Sequence, residues 1–299
     1  MPTTDLAPPS AGIDLNRRDF VRGAVGTGFA AAALPATAEA IHTDSAGLIA
    51  GEVTIGVGDF KMPAYRAMPA AGAGGSGRAG GKLPVLLVIS EVFGVHEHIA
   101  DVARRFARLG YLAIAPELFV RQGDAQSYGE IARLIAEVVN KVPDAQAMGD
   151  LDACVAWAAA NGGDTNRLGV TGFCWGGRIT WLYAAHNPAV KAGVAWYGQL
   201  LGTPSALKPM SPIDLVNKLQ APVLGLYGAE DGGIPVAAVD QMKAALAASA
   251  NPAAKQSQFV VYPGAPHAFH ADYRPSYRKD AAEDGWKRCV AWFKANGAA

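Results

Sequence analysis

Two rhythms of apolar residues run along this chain. In "GEVTIGVGDFKMPAYRAMP", Gly51 to Pro69, the pattern predicts two short-period strands joined by a Gly58-Asp59 turn. "LPVLLVIS", Leu83 to Ser90, is instead an almost unbroken apolar run, as expected of a strand buried on both faces. A helix is predicted over His98 to Leu109, then the strand "YLAIAPEL", then helical stretches over Gln126 to Asn140 and Asp144 to Ala160. The strand "LGVTGF" leads into a helix after Cys174, and "KAGVAWYG", "APVLGLYG" and "SQFVVYPG" read as three more strands. In the last helix Trp286, Cys289, Val290 and Phe293 fall on one face. Repeated strand–helix alternation predicts an α/β fold, a mostly parallel sheet with helices on both faces. No internal repeat or second-domain boundary is visible. "AAGAGGSGRAGG", Ala70 to Gly81, lacks the Lys-Ser/Thr ending of a phosphate loop and reads as a surface linker.

Composition narrows the class. With 51% hydrophobic residues and 17% charged, the 299-residue chain can build a large core. Lys+Arg and Asp+Glu balance at 26 each with no basic stripe, which argues against nucleic acid and acidic lipid surfaces as partners. Cys154, Cys174 and Cys289 show no metal-ligand spacing and cannot all pair, so neither a metal site nor a disulfide framework is expected.

The N-terminus departs from the rest. In "NRRDFVRG", Arg17 and Arg18 precede a weakly apolar stretch, Ala24 to Leu34, and the small residues "ATAEA". That order fits an export signal of the twin-arginine (Tat) type over residues 1–40, cleaved after Ala38 or Ala40. The expectation is a periplasmic or otherwise exported protein that meets the Tat machinery. Its apolar run is too short for a membrane span. Residues 41–299 then form one α/β domain.

Chemistry concentrates at "VTGFCWGGR", Val170 to Arg178. Gly-x-Cys-x-Gly between a buried strand and a helix has the form of a nucleophile elbow, with Cys174 in place of serine. Gly172, Gly176 and Gly177 leave room where the turn crowds its neighbours. Trp175 would present its backbone N–H to an oxyanion from the start of the helix. The order of an α/β hydrolase then asks for an acid and a histidine, each past a later strand. Asp231 in "GAEDGG" and His267 in "PGAPHAFH" meet it: His267 would take the thiol proton and Asp231 would fix its tautomer. His270, three residues on, is a rival base farther from the strand end. Cys154 and Cys289 read as packing residues.

With "SEVFGVHEHI", "GFCWGG" and "PHAFH", and "GAED" between the last two, the chain resembles the dienelactone hydrolase (carboxymethylenebutenolidase) family of α/β hydrolases from about Leu83 onward. The resemblance implies that Glu91 hydrogen-bonds the resting thiol and helps switch it to thiolate, and that the N–H of Val92 completes the oxyanion hole beside Trp175. Family members bind the substrate carboxylate with arginines, one of them four residues past the histidine. Ala271 occupies that position here, which leaves Arg274 and Arg133 as candidate substitutes. Phe93, Trp175 and Tyr197 could line an acyl pocket or simply pack.

The reading is a hydrolase of a lactone or carboxylic ester, acting through Cys174, His267 and Asp231 and an acyl-enzyme, without metal or organic cofactor. Rival readings are a thioesterase or peptidase on the same residues, a binding protein that has lost turnover, and a redox role for the thiol.

Overall fold

The computed structural model describes residues 40–70 and 81–299. The expected export signal and nearly all of the glycine-rich linker lie outside the described residues.

Eight strands form one sheet: β1 (Leu48–Val57), β2 (Phe60–Pro69), β3 (Leu83–Ile89), β4 (Leu112–Pro116), β5 (Gly163–Phe173), β6 (Val190–Trp196), β7 (Val223–Gly228) and β8 (Gln258–Tyr262). Their order is β1-β2-β4-β3-β5-β6-β7-β8. β1 and β2 form the hairpin expected around Gly58, and β2 meets β4 antiparallel, whereas every pair from β4 across to β8 is parallel. This is the α/β-hydrolase architecture.

Among the described residues seven α-helices accompany the sheet: α1 (Glu97–Arg108), α2 (Ile131–Glu137), α3 (Asp144–Ala160), α4 (Trp175–His186), α5 (Val236–Ala248), α6 (Pro252–Gln256) and α7 (Lys279–Ala295). The unbroken apolar character of β3 has a simple cause. Leu86 and Val88 face a core shared with Phe106 of α1 and Phe293 of α7. Val85, Leu87 and Ile89 face the opposite core, with Leu151 and Cys154 of α3 and Ile179 of α4. Alternate side chains of a strand point to opposite faces, so a strand covered on both must be apolar throughout.

Two stretches depart from the pattern-based expectation. The helix predicted over Gln126 to Asn140 is broken into a single 3-10 turn at Ala125–Ser127, α2, and a second 3-10 turn at Val139–Lys141. Asp124 caps the first turn by accepting from the Gln126 N–H at 2.9 Å, while Tyr128 and Glu130 on either side of Gly129 are extended. Glycine inside a helix sacrifices backbone entropy, and here the chain leaves the helix at it. Conversely, α5 and α6 fill the interval between β7 and β8. The alanine-rich "VAAVDQMKAALAA" buries only Ala238, Val239, Met242 and Leu246, too weak a stripe to stand out by period. Among the described residues no helix is long and apolar enough to cross a membrane.

Candidate active site

β5 ends at Phe173 and α4 starts at Trp175, so Cys174 carries the whole reversal. Its φ is +54° and ψ −113°, a conformation that L-residues rarely adopt. The neighbours hold it there. The Cys174 N–H donates to Trp196 O at 3.0 Å, and its carbonyl accepts from Gly177 N at 3.0 Å and Arg178 N at 3.2 Å. A Cβ on Gly176 would stand 2.6 Å from Ser90 O, and one on Gly177 2.5 Å from Trp196 O. The ends of β3 and β6 therefore press on the corner from both sides, and only glycine permits the approach. Arg178 fixes the first turn of α4 through two hydrogen bonds to Asp144, at 2.7 and 2.8 Å, and one to Met210 O.

Past the end of β7, Asp231 is 3% exposed. Its Oδ1 accepts from the backbone N–H groups of Gly233 at 2.9 Å and Ile234 at 3.0 Å, which leaves Oδ2 for His267 Nδ1 at 2.7 Å. His267 follows β8. Burial disfavours its charged form, but the hydrogen bond to Asp231 and the hydrogen bond and charge of Cys174 outweigh that and push it up to about 10. Asp231 is thus hydrogen-bonded to His267, and Cys174 lies close enough to the same ring to raise it. Tyr197 packs edge-on to the His267 ring, centroids 5.1 Å apart, and its hydroxyl is fully buried without a hydrogen-bond partner. Burial and then the charges of Glu91, Tyr273 and Cys174 hold the Tyr197 hydroxyl well above the usual tyrosine range.

His270 is buried among Phe173, Trp196 and Trp286. Burial, followed by the charges of His98 and Arg105, keeps it well below the usual histidine range. The carboxylate a base would need is already bonded to His267.

Glu91 lies one residue beyond the Ser90 carbonyl that limits Gly176, and it is 1% exposed. Its Oε2 accepts from the Tyr273 hydroxyl at 2.8 Å, and its Oε1 lies 3.8 Å from Arg274 Nη1. Val92 and Phe93 continue that turn. Arg274 stands over the Phe93 ring at 5.7 Å and keeps 29% of its side chain exposed. Of the two candidate arginines the fold brings Arg274 to this cluster. Arg133, exposed on α2, pairs with Glu137 at 2.8 Å and stands over Tyr128.

Tyr273, His96, His98 and Asp272 had no sequence signal. Tyr273 meets a partner 182 residues away. His98 Nδ1 bonds Asp272 Oδ1 at 3.0 Å, and Arg105 Nη2 bonds its other oxygen at 2.7 Å. Among the described residues His42, Glu97 and Asp101 are close enough to share a cation. Arg104 pairs with both of those carboxylates and Arg105 with Asp101, so guanidinium groups already supply the positive charge.

Comparison with known proteins agrees with this architecture. The profile of the Dienelactone hydrolase family matches residues 70–297. A "Putative carboxymethylenebutenolidase" of Methylorubrum extorquens is 58% identical over 297 residues, 99% of this chain and 98% of the relative. One of the same name from Escherichia coli is 50% identical over 271 residues, covering 91% and 96%. The solved structure of a "Putative Dienelactone Hydrolase" from Klebsiella pneumoniae superposes with a TM-score of 0.77 at 55% identity, covering 83% of this chain and 98% of that one. With its sheet order, its corner at Cys174 and this extent of similarity, the chain belongs to the dienelactone hydrolase family of carboxylic ester hydrolases.

Proposed function

We propose that the chain hydrolyses a lactone or carboxylic ester by covalent catalysis at Cys174. The observation that carries this reading is buried Asp231 hydrogen-bonded to His267, an imidazole raised in turn by a cysteine held at positive φ on a strand–helix corner. A thiolate is the attacking form of cysteine, and an imidazole kept basic by a carboxylate can take the thiol proton. The Cys174 sulfur adds to the substrate carbonyl, whose electron pair moves onto oxygen. The N–H groups of Val92 and Trp175 receive that oxyanion; Trp175 is the first residue of α4, where an N–H has no carbonyl one turn earlier to bond. As the alkoxide departs, His267 returns the proton to it, leaving a thioester on Cys174. Water, deprotonated by His267, then releases the acid and the thiol.

For the substrate, the exposed part of Arg274 beside Phe93 supports a group with a carboxylate near the scissile bond, since a guanidinium recognises a carboxylate through paired donors. Phe93, partly exposed, supplies apolar wall, whereas Tyr197 is fully buried against the His267 ring. Twin arginines at Arg17 and Arg18 support export.

The test is hydrolysis of a neutral aryl ester, an uncharged lactone and a carboxylated dienelactone, beside Cys174→Ala and Arg274→Ala. The expected outcome is preference for the carboxylated substrate, lost in Arg274→Ala, and no turnover in Cys174→Ala. Full activity without Cys174 would overturn the reading. Preference for thioesters or peptides would keep the residues and change the substrate class.

A further inference from the structure

The Glu91 carboxylate presents an unequal pair of oxygens. Oε2 accepts from the Tyr273 hydroxyl, whereas Oε1 is buried with no hydrogen-bond donor on it, the Cys174 thiol included. The thiol acts on His267 instead, as one of the groups that raise it. A buried carboxylate beside a nucleophilic sulfur can act in two ways: it can take the S–H as donor and hold the proton on sulfur, or it can be held elsewhere and leave sulfur to the histidine. The fold supplies the second arrangement through a residue outside the Cys174–His267–Asp231 line.

We infer that Tyr273 is a positioning residue, whose hydroxyl holds Glu91 off the Cys174 thiol so that the thiol pairs with His267. The inference rests on the reading of Cys174 as the nucleophile.

Three observations support it. Tyr273 has one hydroxyl proton and gives it to Glu91, so the contact of its oxygen with His96 Nε2 at 3.4 Å makes the imidazole the donor there. His96 can remain a neutral donor because burial, then the charges of His98 and Arg274, lower it to about 3. The T-shaped contact of the two rings, centroids 4.9 Å apart, fixes the hydroxyl's direction. Finally, burial and the Glu91 charge push Tyr273 far above the usual tyrosine range, so its proton stays in place at any pH at which the protein works. The charged and titratable groups around Glu91 come from several elements. They are Cys174 at the corner, Tyr197 after β6, His96 before α1, and Tyr273 and Arg274 after β8, with His98 and Asp272 acting on His96.

Without the Tyr273 hydroxyl, Glu91 keeps only the Arg274 guanidinium, 3.8 Å from Oε1, and is free to turn to the thiol proton. Sharing that proton costs His267 its hold on it, and thiolate then forms only at higher pH.

The experiment measures iodoacetamide alkylation of the full-length protein against pH, with Cys174→Ala as the control for the label's position. It compares wild type, Tyr273→Phe, Glu91→Gln and the double variant, with thermal melts to check folding. In Tyr273→Phe the alkylation midpoint is expected to rise by about one pH unit, a tenfold loss of rate below both midpoints, with the acid limb of kcat/KM moving alike. In the Glu91→Gln background the same change is expected to move the midpoint little, because the carboxylate it acts through is gone. An unmoved midpoint, or equal shifts in both backgrounds, overturns the inference. If Tyr273→Phe fails to fold, a ring-fluorinated tyrosine at the same position is a stronger donor of the same shape. It should lower the midpoint, and a rise would count against the idea. Label elsewhere than Cys174, or hydrolysis by Cys174→Ala, would instead remove the nucleophile assignment.

Discussion

Asp231→Asn changes one atom in the proposed line. Asparagine fits the same space, and its carbonyl oxygen can still accept from the Gly233 and Ile234 amides at the Oδ1 position. Its NH2 group then faces His267 Nδ1, 2.7 Å away, where a carboxylate oxygen stood. Two donors cannot share that contact, so the imidazole must move its proton to Nε2. There it faces the thiol and cannot accept from it. The imidazolium also loses a charge-assisted hydrogen bond worth roughly 1.5–3 kcal/mol. In a serine triad the equivalent change costs about ten-thousand-fold in kcat. A thiol is a stronger acid than a hydroxyl and needs its base less, so kcat/KM is expected to fall about 100- to 1000-fold, or about 3–4 kcal/mol. Stability supplies a second reading. His267 is raised in the folded state to about 10, so its contribution is complete below the unfolded value near 6.5 and is lost as pH rises through about 10. Asp231→Asn should bring that loss to lower pH. Ester hydrolysis against pH and urea midpoints at neutral and alkaline pH test both. A fall of less than about fivefold, with an unchanged profile, would refute the claim that Asp231 orients His267.

Other outcomes follow from the same geometry. A thiol-exchange reagent should titrate one fast cysteine in the native protein and three after unfolding. Cys154 and Cys289 are fully buried and burial pushes both thiols far up, whereas Cys174 is partly exposed. Gly176→Ala would press a methyl on Ser90 O, so it should displace the Glu91–Val92 turn, abolish hydrolysis and cost about 1–3 kcal/mol in a urea titration. Asp272→Ala would leave His98 without its carboxylate and Arg105 with Asp101 alone; about 3 kcal/mol, or roughly 6–10 °C in Tm, is expected at neutral pH. Burial raises Asp272, but its bonds to His98 and Arg105 win and lower it to about 2. Its stabilising effect is therefore present above the unfolded value near 4 and is lost as pH falls through about 2, so the deficit in melts should shrink with acid.

Local pattern determined much of this protein. The inner strands β3, β4, β6 and β7 were legible because burial on both faces forces continuous apolar runs, and the predicted limits of α3 coincide with the observed Asp144–Ala160. Cys174, Asp231 and His267 were legible because each stands just past a strand end, and a parallel sheet gathers those ends along one edge. The glycines beside Cys174 marked the corner because no Cβ fits there. Tertiary structure alone decided what surrounds them. Only folding brings Tyr273 and Arg274 to Glu91, gives Asp231 to His267 while His270 packs among aromatic rings, and leaves Arg133 with Glu137 on α2. Such partners are set by where loops meet across the edge of the sheet. No periodicity within either segment records that meeting, because a hydrogen bond between residues 182 apart constrains three-dimensional distance and not local spacing.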